Sequence, residues 1–379
     1  MRLAVLTTGR QDWGILRSTC QLLAQDSRFE LKLFAGGMHV SAAFGNGVAS
    51  LEADGFAVAE RLRWIDDSGT TSAGAQAGEA VTQVAAALER QRPEALLLVG
   101  DRFETLSAAH AATLARVPVV HLHGGEETAG AIDNSIRHAI TKLAHLHLVS
   151  HRDHAARVIA MGERRNTVHE VGAPGLDNAH RIDLASRTQL EQDLGRPLTS
   201  PLVLVTLHPT TLGAEPAQEL AAVIEAMDAV DATYVISLPN ADPGNEVIRS
   251  GLRAAATRGQ RLVADALGER RYWGLMGIAD AMLGNSSSAL IEAPVLRIPA
   301  VNVGDRQLGR LRGNNIIDAA PTGAAVTRAL RKALDKTFRA TIGDQGPYGD
   351  GRSAPRVVAA LASWTIPVPP TKPSIEVHP

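Results

Sequence analysis

Ala95-Leu-Leu-Leu-Val-Gly-Asp-Arg-Phe-Glu104 runs from an unbroken apolar stretch through Gly-Asp-Arg into a helical pattern, Glu104–Ala115. A strand without polar alternation is buried on both faces, which is the mark of a parallel sheet covered by helices on each side. The same alternation extends outward. Leu3–Thr8 and Leu31–Ala35 precede this strand, and Val117–Leu122, His145–Val149 and Thr167–Val171 follow it. Helical segments near Ile15–Gln25, Gln76–Gln91, Asn134–Ala144 and Arg152–Met161 lie between them. The pattern then restarts with Leu202–Leu207, Thr233–Leu238, Leu262–Ala264, Ala281–Leu283 and Ala300–Val303. Its helices fall near Gln218–Met227, Asn245–Thr257, Leu267–Met276, Ala289–Val295 and Ala324–Lys336. Two rounds predict an α/β fold of two Rossmann-like domains, 1–175 and 176–352, with a central cleft where the C-terminal strand ends meet. Polar Gly172–Pro201 reads as the linker, 353–365 as a C-terminal helix packing back across the domains, and proline-rich 366–379 as an extended tail.

Bulk properties narrow the function. A length of 379 residues suits two domains, and 45% hydrophobic residues exclude a largely disordered chain. Net charge is −2 with no basic block, so nucleic acid and anionic membrane are poor partners. The single cysteine, Cys20, excludes an intrachain disulfide and sits in a helical pattern as a core residue. The apolar run Leu3–Leu6 is too short for a signal peptide, and no stretch approaches the roughly 18 apolar residues of a membrane span. A soluble cytoplasmic protein is expected.

In open α/β sheets, ligands bind outside the carboxyl ends of strands, and the polar clusters fall there. Thr8-Gly-Arg-Gln-Asp-Trp-Gly14 offers helix N-terminal N–H groups and Arg10 to a phosphate, or is a solvated turn. Asp101 either caps the next helix while Arg102 pairs with it, or belongs to a ligand site. The recurrence of Gly-Asp-Arg at Gly304–Arg306 favours Arg102 and Arg306 on a diphosphate. The richest stretch is His121-Leu-His-Gly-Gly-Glu-Glu-Thr-Ala-Gly-Ala-Ile-Asp133, followed by Asn134-Ser-Ile-Arg-His138. His121 and His123 share a face only if the strand continues, the spacing supplies no third metal ligand, and no metal or other cofactor is called for. His208 ends a strand before Pro209, and Asn240 lies in a turn, Pro239–Gly244. Gly284-Asn-Ser-Ser-Ser288 leads into a helix carrying Glu292. Its Ser286 and Ser287 suit an anion, and Glu292 suits ribose hydroxyls, unless Ser286 only caps the helix.

In this order the clusters resemble the hydrolysing UDP-N-acetylglucosamine 2-epimerases, which act in sialic-acid synthesis, and relatives acting on diacetamido sugars. The resemblance spans roughly residues 1–365 and rests on Gly100-Asp-Arg102, Gly124-Gly-Glu126 with Asp133 to His138, His208-Pro-Thr-Thr211, Gly284-Asn-Ser-Ser287 and Gly304-Asp-Arg306. It implies a glycosyltransferase-B-type fold and a homodimer or homotetramer. It implies conversion of UDP-N-acetylglucosamine to N-acetylmannosamine and UDP through 2-acetamidoglucal, or the same chemistry on UDP-2,4-diacetamido-2,4,6-trideoxyglucose. A non-hydrolysing epimerase, a glycosyltransferase and a nucleotide-sugar binding protein are the competing readings. Asp101 and Asp133 match the family's proton-transfer carboxylates, and His208 a histidine by the leaving group. Arg10, Arg102, Ser286, Ser287, Glu292 and Arg306 match UDP contacts, with Asn240 near them. Some members carry a catalytic glutamate where this chain has His123, and one extra residue separates Glu126 from Asp133. The third acid/base group is therefore Glu126 or His123, with Glu126 preferred.

Overall fold

A computed structural model describes residues 1–42, 47–66, 71–127, 133–209, 216–238, 245–264, 267–343 and 346–372. The chain divides into two compact units, Met1–Asp177 together with the stretch from Gly351, and Asn178–Asp350. Each holds one wholly parallel sheet.

In the first unit the strands are β1 (Arg2–Thr7), β2 (Glu30–Gly36), β3 (Val58–Leu62), β4 (Ala95–Val99), β5 (Val119–Leu122), β6 (Leu146–Val149) and β7 (Val168–Glu170). They are ordered β3-β2-β1-β4-β5-β6-β7. The direction of winding reverses between β1 and β4, so the loops after these two strands open the crevice in which such sheets hold ligands. Successive side chains serve opposite faces. Leu3, Val5 and Leu97 pack with Leu16, Cys20 and Leu23 of the helix Arg10–Gln25, while Ala4, Leu6, Leu96 and Leu98 pack with Val84 and Leu88 of Ala73–Gln91. Full burial of each such aliphatic side chain contributes about 1.5–3 kcal/mol. Burial pushes the Cys20 thiol up to about 12, so it is an inert core group, as its helical setting implied.

The helix Ser353–Ser363 belongs to the first unit. Val357 and Leu361 join the core beside Arg10–Gln25, and the Asp177 carboxylate accepts from the N–H groups of Ser353 and Ala354, both at 2.7 Å. The described part of the tail is anchored. His145 Nε2 donates to Pro370 O at 3.3 Å, and Lys372 Nζ donates to Ala144 O and to Glu163.

In the second unit the strands are β8 (Leu202–Thr206), β9 (Thr233–Ser237), β10 (Arg261–Ala264), β11 (Ala281–Gly284), β12 (Ala300–Val303) and β13 (Ile316–Ala319), ordered β10-β9-β8-β11-β12-β13. Here the winding reverses between β8 and β11. Val203, Val205, Tyr234, Ile236, Leu283 and Val301 form its core with Val223 and Met227 of the helix Pro216–Ala229 and Leu330 of Gly323–Ala333.

Two expectations change. The stretch read as a linker is folded: a 3-10 turn covers Pro174–His180, and Arg187–Leu194 is a helix closed by a Ser186–Gln189 capping box. The sequence reading also lacks β3 and β13. Both are edge strands, and charged residues interrupt them, so neither forms a continuous apolar run. Among the described residues no helix is long and apolar enough to cross a membrane.

Candidate active site

The first unit gathers its chemistry in the loops after β1, β4, β5 and β6. After β1, the buried Asp12 carboxylate accepts from Thr8 N at 2.9 Å and Thr8 Oγ1 at 2.5 Å, which fixes the turn into the helix Arg10–Gln25. Arg10 opens the helix and is exposed.

After β4, Gly100 takes φ +79° and turns the chain into Asp101. Asp101 does not cap the helix Phe103–Leu114 and does not pair with Arg102, which overturns the capping reading. Arg102 is the N-cap residue and makes no side-chain cap; its guanidinium grips the buried Glu104 at 2.7 and 3.1 Å. Asp101 instead pairs with Arg137, a buried residue on the helix Asp133–Leu143. Burial pushes the Asp101 carboxyl above its ordinary range. Arg137 opposes this, and the charges of Asp133 and Glu126 reinforce it. Asp101, Asp133 and Glu126 are thus close enough to sense one another, and Asp133 stands at the first position of its helix.

After β5 the chain turns sharply. His121, inside the strand and fully buried, donates from Nε2 to Gly100 O at 2.9 Å. Burial holds it down at about 3, so it is neutral and braces the Asp101 loop. His123 follows the last residue of β5 and has φ +65°. It and His121 therefore do not share a strand face, and among the described residues no group of three His, Cys, Asp or Glu could hold a metal ion. His123 Nδ1 lies 2.6 Å from Glu126 Oε1, which also accepts from Ser150 Oγ at 2.7 Å. Burial favours the protonated Glu126, but the adjacent His123 charge and the bonds from His123 and Ser150 outweigh it and hold the carboxyl at about 2. Gly125, at φ +77°, packs so tightly on the helix Arg152–Ala160 that a β-carbon would lie 2.4 Å from His154 O. One carboxyl is thus driven towards protonation and its neighbour towards ionisation, the division of roles that acid/base chemistry needs.

In the second unit, Asn285 organises the crevice between β8 and β11. Its Oδ1 accepts from His208 N at 2.8 Å, and its Nδ2 donates to His208 O at 2.9 Å and to the buried Glu219 at 3.2 Å. Its own carbonyl accepts from Arg306 Nη1 at 3.2 Å and Gln307 Nε2 at 2.8 Å. Four polar positions flagged by sequence, His208, Ser286, Ser287 and Arg306, are thereby brought to one strand-end cluster. Ser286 Oγ accepts from Ser288 N at 3.3 Å, so it also caps the short helix Ser288–Ile291. Burial pushes Glu292 up to about 7, against the lowering effects of its own backbone N–H, Ser288 and Arg310, and its Oε2 has no hydrogen-bond partner among the described residues. Asn240 and Thr210 lie outside the described residues.

Sequence reasoning left Arg137, Asn285, Ser150 and His154 off the site. Ser150 and His154 follow β6, so the strand-end rule applied to every strand would have found them. Nothing local marks Arg137 or Asn285 as the partners of Asp101 and His208.

The family model for UDP-N-acetylglucosamine 2-epimerase matches residues 21–362. A UDP-N,N'-diacetylbacillosamine 2-epimerase (hydrolyzing) of Legionella pneumophila is 34% identical over 97% of each chain. A GDP/UDP-N,N'-diacetylbacillosamine 2-epimerase (hydrolyzing) of Campylobacter jejuni is 33% identical over 89% of this chain and 88% of the other. The crystal structure of UDP-GlcNAc 2-epimerase from Neisseria meningitidis bound to UDP-GlcNAc shares the fold, with TM-score 0.78 and 16% identity over 95% of this chain and 99% of that one. The two parallel sheets are those of a glycosyltransferase-B-type fold, and with a family match across most of its length the chain belongs to the UDP-N-acetylglucosamine 2-epimerase family.

Proposed function

We propose that the chain is a hydrolysing 2-epimerase of a UDP-linked 2-acetamido sugar, with UDP-N,N'-diacetylbacillosamine, the diacetamido-trideoxy sugar nucleotide, ahead of UDP-N-acetylglucosamine. The observation that carries the reaction type is the opposed proton affinity of Asp101 and Glu126 within one carboxylate cluster. The substrate order rests on the two relatives at 33% and 34% identity, whose names give the diacetylbacillosamine nucleotide.

The C2 proton of such a sugar has no adjacent carbonyl to acidify it. C1–O cleavage therefore runs ahead of proton removal, with oxocarbenium character at C1. The C2–H electron pair becomes the C1=C2 bond of the 2-acetamidoglucal, and UDP departs with the C1–O pair. Water oxygen then adds at C1 while a proton adds to C2 from the face opposite to the one it left. Inversion at C2 needs acid/base groups on both faces, each contributing about 10²–10⁴-fold. Asp101, its proton affinity raised by burial, and Asp133, whose charge it senses, are the acid/base carboxylates of this reading. The proposed UDP contacts are Arg10 and Arg102 in the first unit and, in the second, Ser286, Ser287 and Arg306 with Asn240 near them, Glu292 for the ribose hydroxyls and His208 for the leaving group.

Purified protein incubated with both sugar nucleotides in deuterated water, with products read by NMR, tests this. The expected products are UDP and a free 2-epimer carrying deuterium at C2. Release of neither UDP nor free amino sugar from either compound refutes the reading, and an epimer still linked to UDP assigns the non-hydrolysing reaction instead.

A further inference from the structure

We propose that His123 is the base that removes the C2 proton in the elimination, with Glu126 as the positioning residue that holds its ring; the inference rests on the 2-epimerase reading above. Glu126 is an acceptor only, so the 2.6 Å contact is His123 Nδ1–H donating to Oε1. Ser150 Oγ–H also donates to that oxygen, and its hydroxyl proton is thereby used. Ser150 Oγ must then accept across its 2.9 Å contact with His154 Nδ1, which places a proton on that nitrogen. The chain of bonds places a proton on His123 Nδ1, and in the neutral ring Nε2 then carries the lone pair.

That Nε2 is buried and has no hydrogen-bond partner among the described residues. His147 shares this pattern, with Nε2 on Glu163 and a buried Nδ1 without partner among the described residues, but it lies inside β6. His123 stands instead in a loop after a strand, where sheets of this kind bind ligands, and there an imidazole held by a carboxylate at one nitrogen is arranged as a base. The backbone agrees. His123 is at φ +65°, where a β-carbon is crowded and Gly or Asn is the usual residue. The loop cannot relax, because Gly125 is wedged on the helix Arg152–Ala160, whose Arg157 donates to Gly125 O. The charged and titratable groups around the pair are His121 on β5, His154 and Arg157 on that helix, and, through Glu126, Asp101.

Charge makes the pair suitable. Neutral imidazole with carboxylate carries −1, the charge of a lone carboxylate, and after taking a proton it carries zero. The pair thus does a carboxylate's work without altering the site's charge. Its proton lands on a ring whose ordinary affinity lies near neutrality, which suits a weakly acidic C–H better. In the step, the Nε2 lone pair takes the C2 proton, the C–H pair forms C1=C2, the C1–O pair leaves with UDP, and the imidazolium returns its proton to water before the next turnover.

The test compares wild type with His123→Asn, since Asn accepts φ > 0, and with Glu126→Gln. For His123→Asn, kcat for UDP release should fall about 10²–10⁴-fold. Hydration of added 2-acetamidoglucal should fall less than tenfold, and UDP affinity, which reports folding, should stay within about threefold. In Glu126→Gln, kcat for UDP release should fall about tenfold or more while KM stays within about threefold, the split expected when the base loses its orientation and the fold is kept. UDP release within tenfold of wild type in His123→Asn, or equal loss of both half-reactions, overturns the assignment while leaving the 2-epimerase reading intact. A wild type that releases no UDP from either sugar nucleotide overturns the parent reading and this one with it.

Discussion

Asn285→Ala should damage the second unit far more than a surface amide would. Asn285 is fully buried, and its side chain makes three hydrogen bonds, two to the backbone of His208 and one to Glu219, itself fully buried. Leaving a buried donor or acceptor unmade costs about 1–3 kcal/mol, with more for a charged group. His208 is only half-buried, so its two groups stand near the lower end, while the fully buried Glu219 carboxylate loses a donor. The expected loss is about 3–5 kcal/mol in the second unit, a large share of the 5–15 kcal/mol of a typical domain. Asn285→Asp keeps the acceptor for His208 N–H but sets a second carboxylate beside Glu219, so it should be no better. Urea unfolding gives the magnitude, and hydrogen exchange of the peptide Leu202–His208 gives the location. Calorimetry with UDP should show at least tenfold weaker binding, because the strand end carrying His208 and the carbonyl holding Arg306 are released together. A loss below about 1 kcal/mol with unchanged UDP affinity would refute the view that one amide organises this crevice.

Acid should weaken the first unit early. Burial holds His121 at about 3 and His39 at about 4, against about 6.5 when unfolded, so the unfolded chain binds protons first. Stability is then complete above pH 6.5 and falls as pH drops from there towards 3. Each ring should cost about 2 kcal/mol by pH 5, and a urea midpoint that is flat between pH 7 and 5 contradicts this. Glu292 has the opposite sign: burial raises it to about 7, so its ionisation opposes folding as pH rises through 7. Glu292→Gln should therefore gain stability above pH 7 while losing UDP affinity, and unchanged affinity removes its ribose role. Gly100→Ala and Gly125→Ala both place an L side chain at positive φ, but a β-carbon meets nothing within 4 Å at Gly100 and lies 2.4 Å from His154 O at Gly125. The first should cost about 1–2 kcal/mol and the second clearly more, with loss of turnover; equal thermal shifts would contradict the packing argument. Asp101→Asn and Asp133→Asn should each lower turnover about 10²–10⁴-fold with UDP binding retained, and full activity in either removes that carboxylate from the chemistry.

Much of the fold is local in origin. Buried parallel strands are near-continuous apolar runs, so Ala95–Val99 is read from sequence to the residue, as is Ala300–Val303 despite its Asn302. The cysteine in a helical pattern reads as core, and it is. Two of the four described edge strands, β3 and β13, escape because charged residues break their apolar run and their composition resembles that of a loop, as at Val58–Leu62. The positions of the polar clusters are also legible, since in a doubly wound sheet the strand order alone decides which loops open the crevice.

Sequence by itself therefore determined the two-sheet α/β architecture and the strand ends at which chemistry gathers. Both follow from apolar periodicity, which each segment carries within itself. Only the tertiary structure decided the partners. Asp101 binds Arg137 from another element, His208 is held by Asn285 from a neighbouring strand, and His123 meets Glu126 because a left-handed turn folds one back on the other. Those contacts set which carboxyl has its proton affinity raised, which has it lowered and which histidine is buried and neutral. Burial and distance fix proton affinity, and neither is a property of the chain until it has folded.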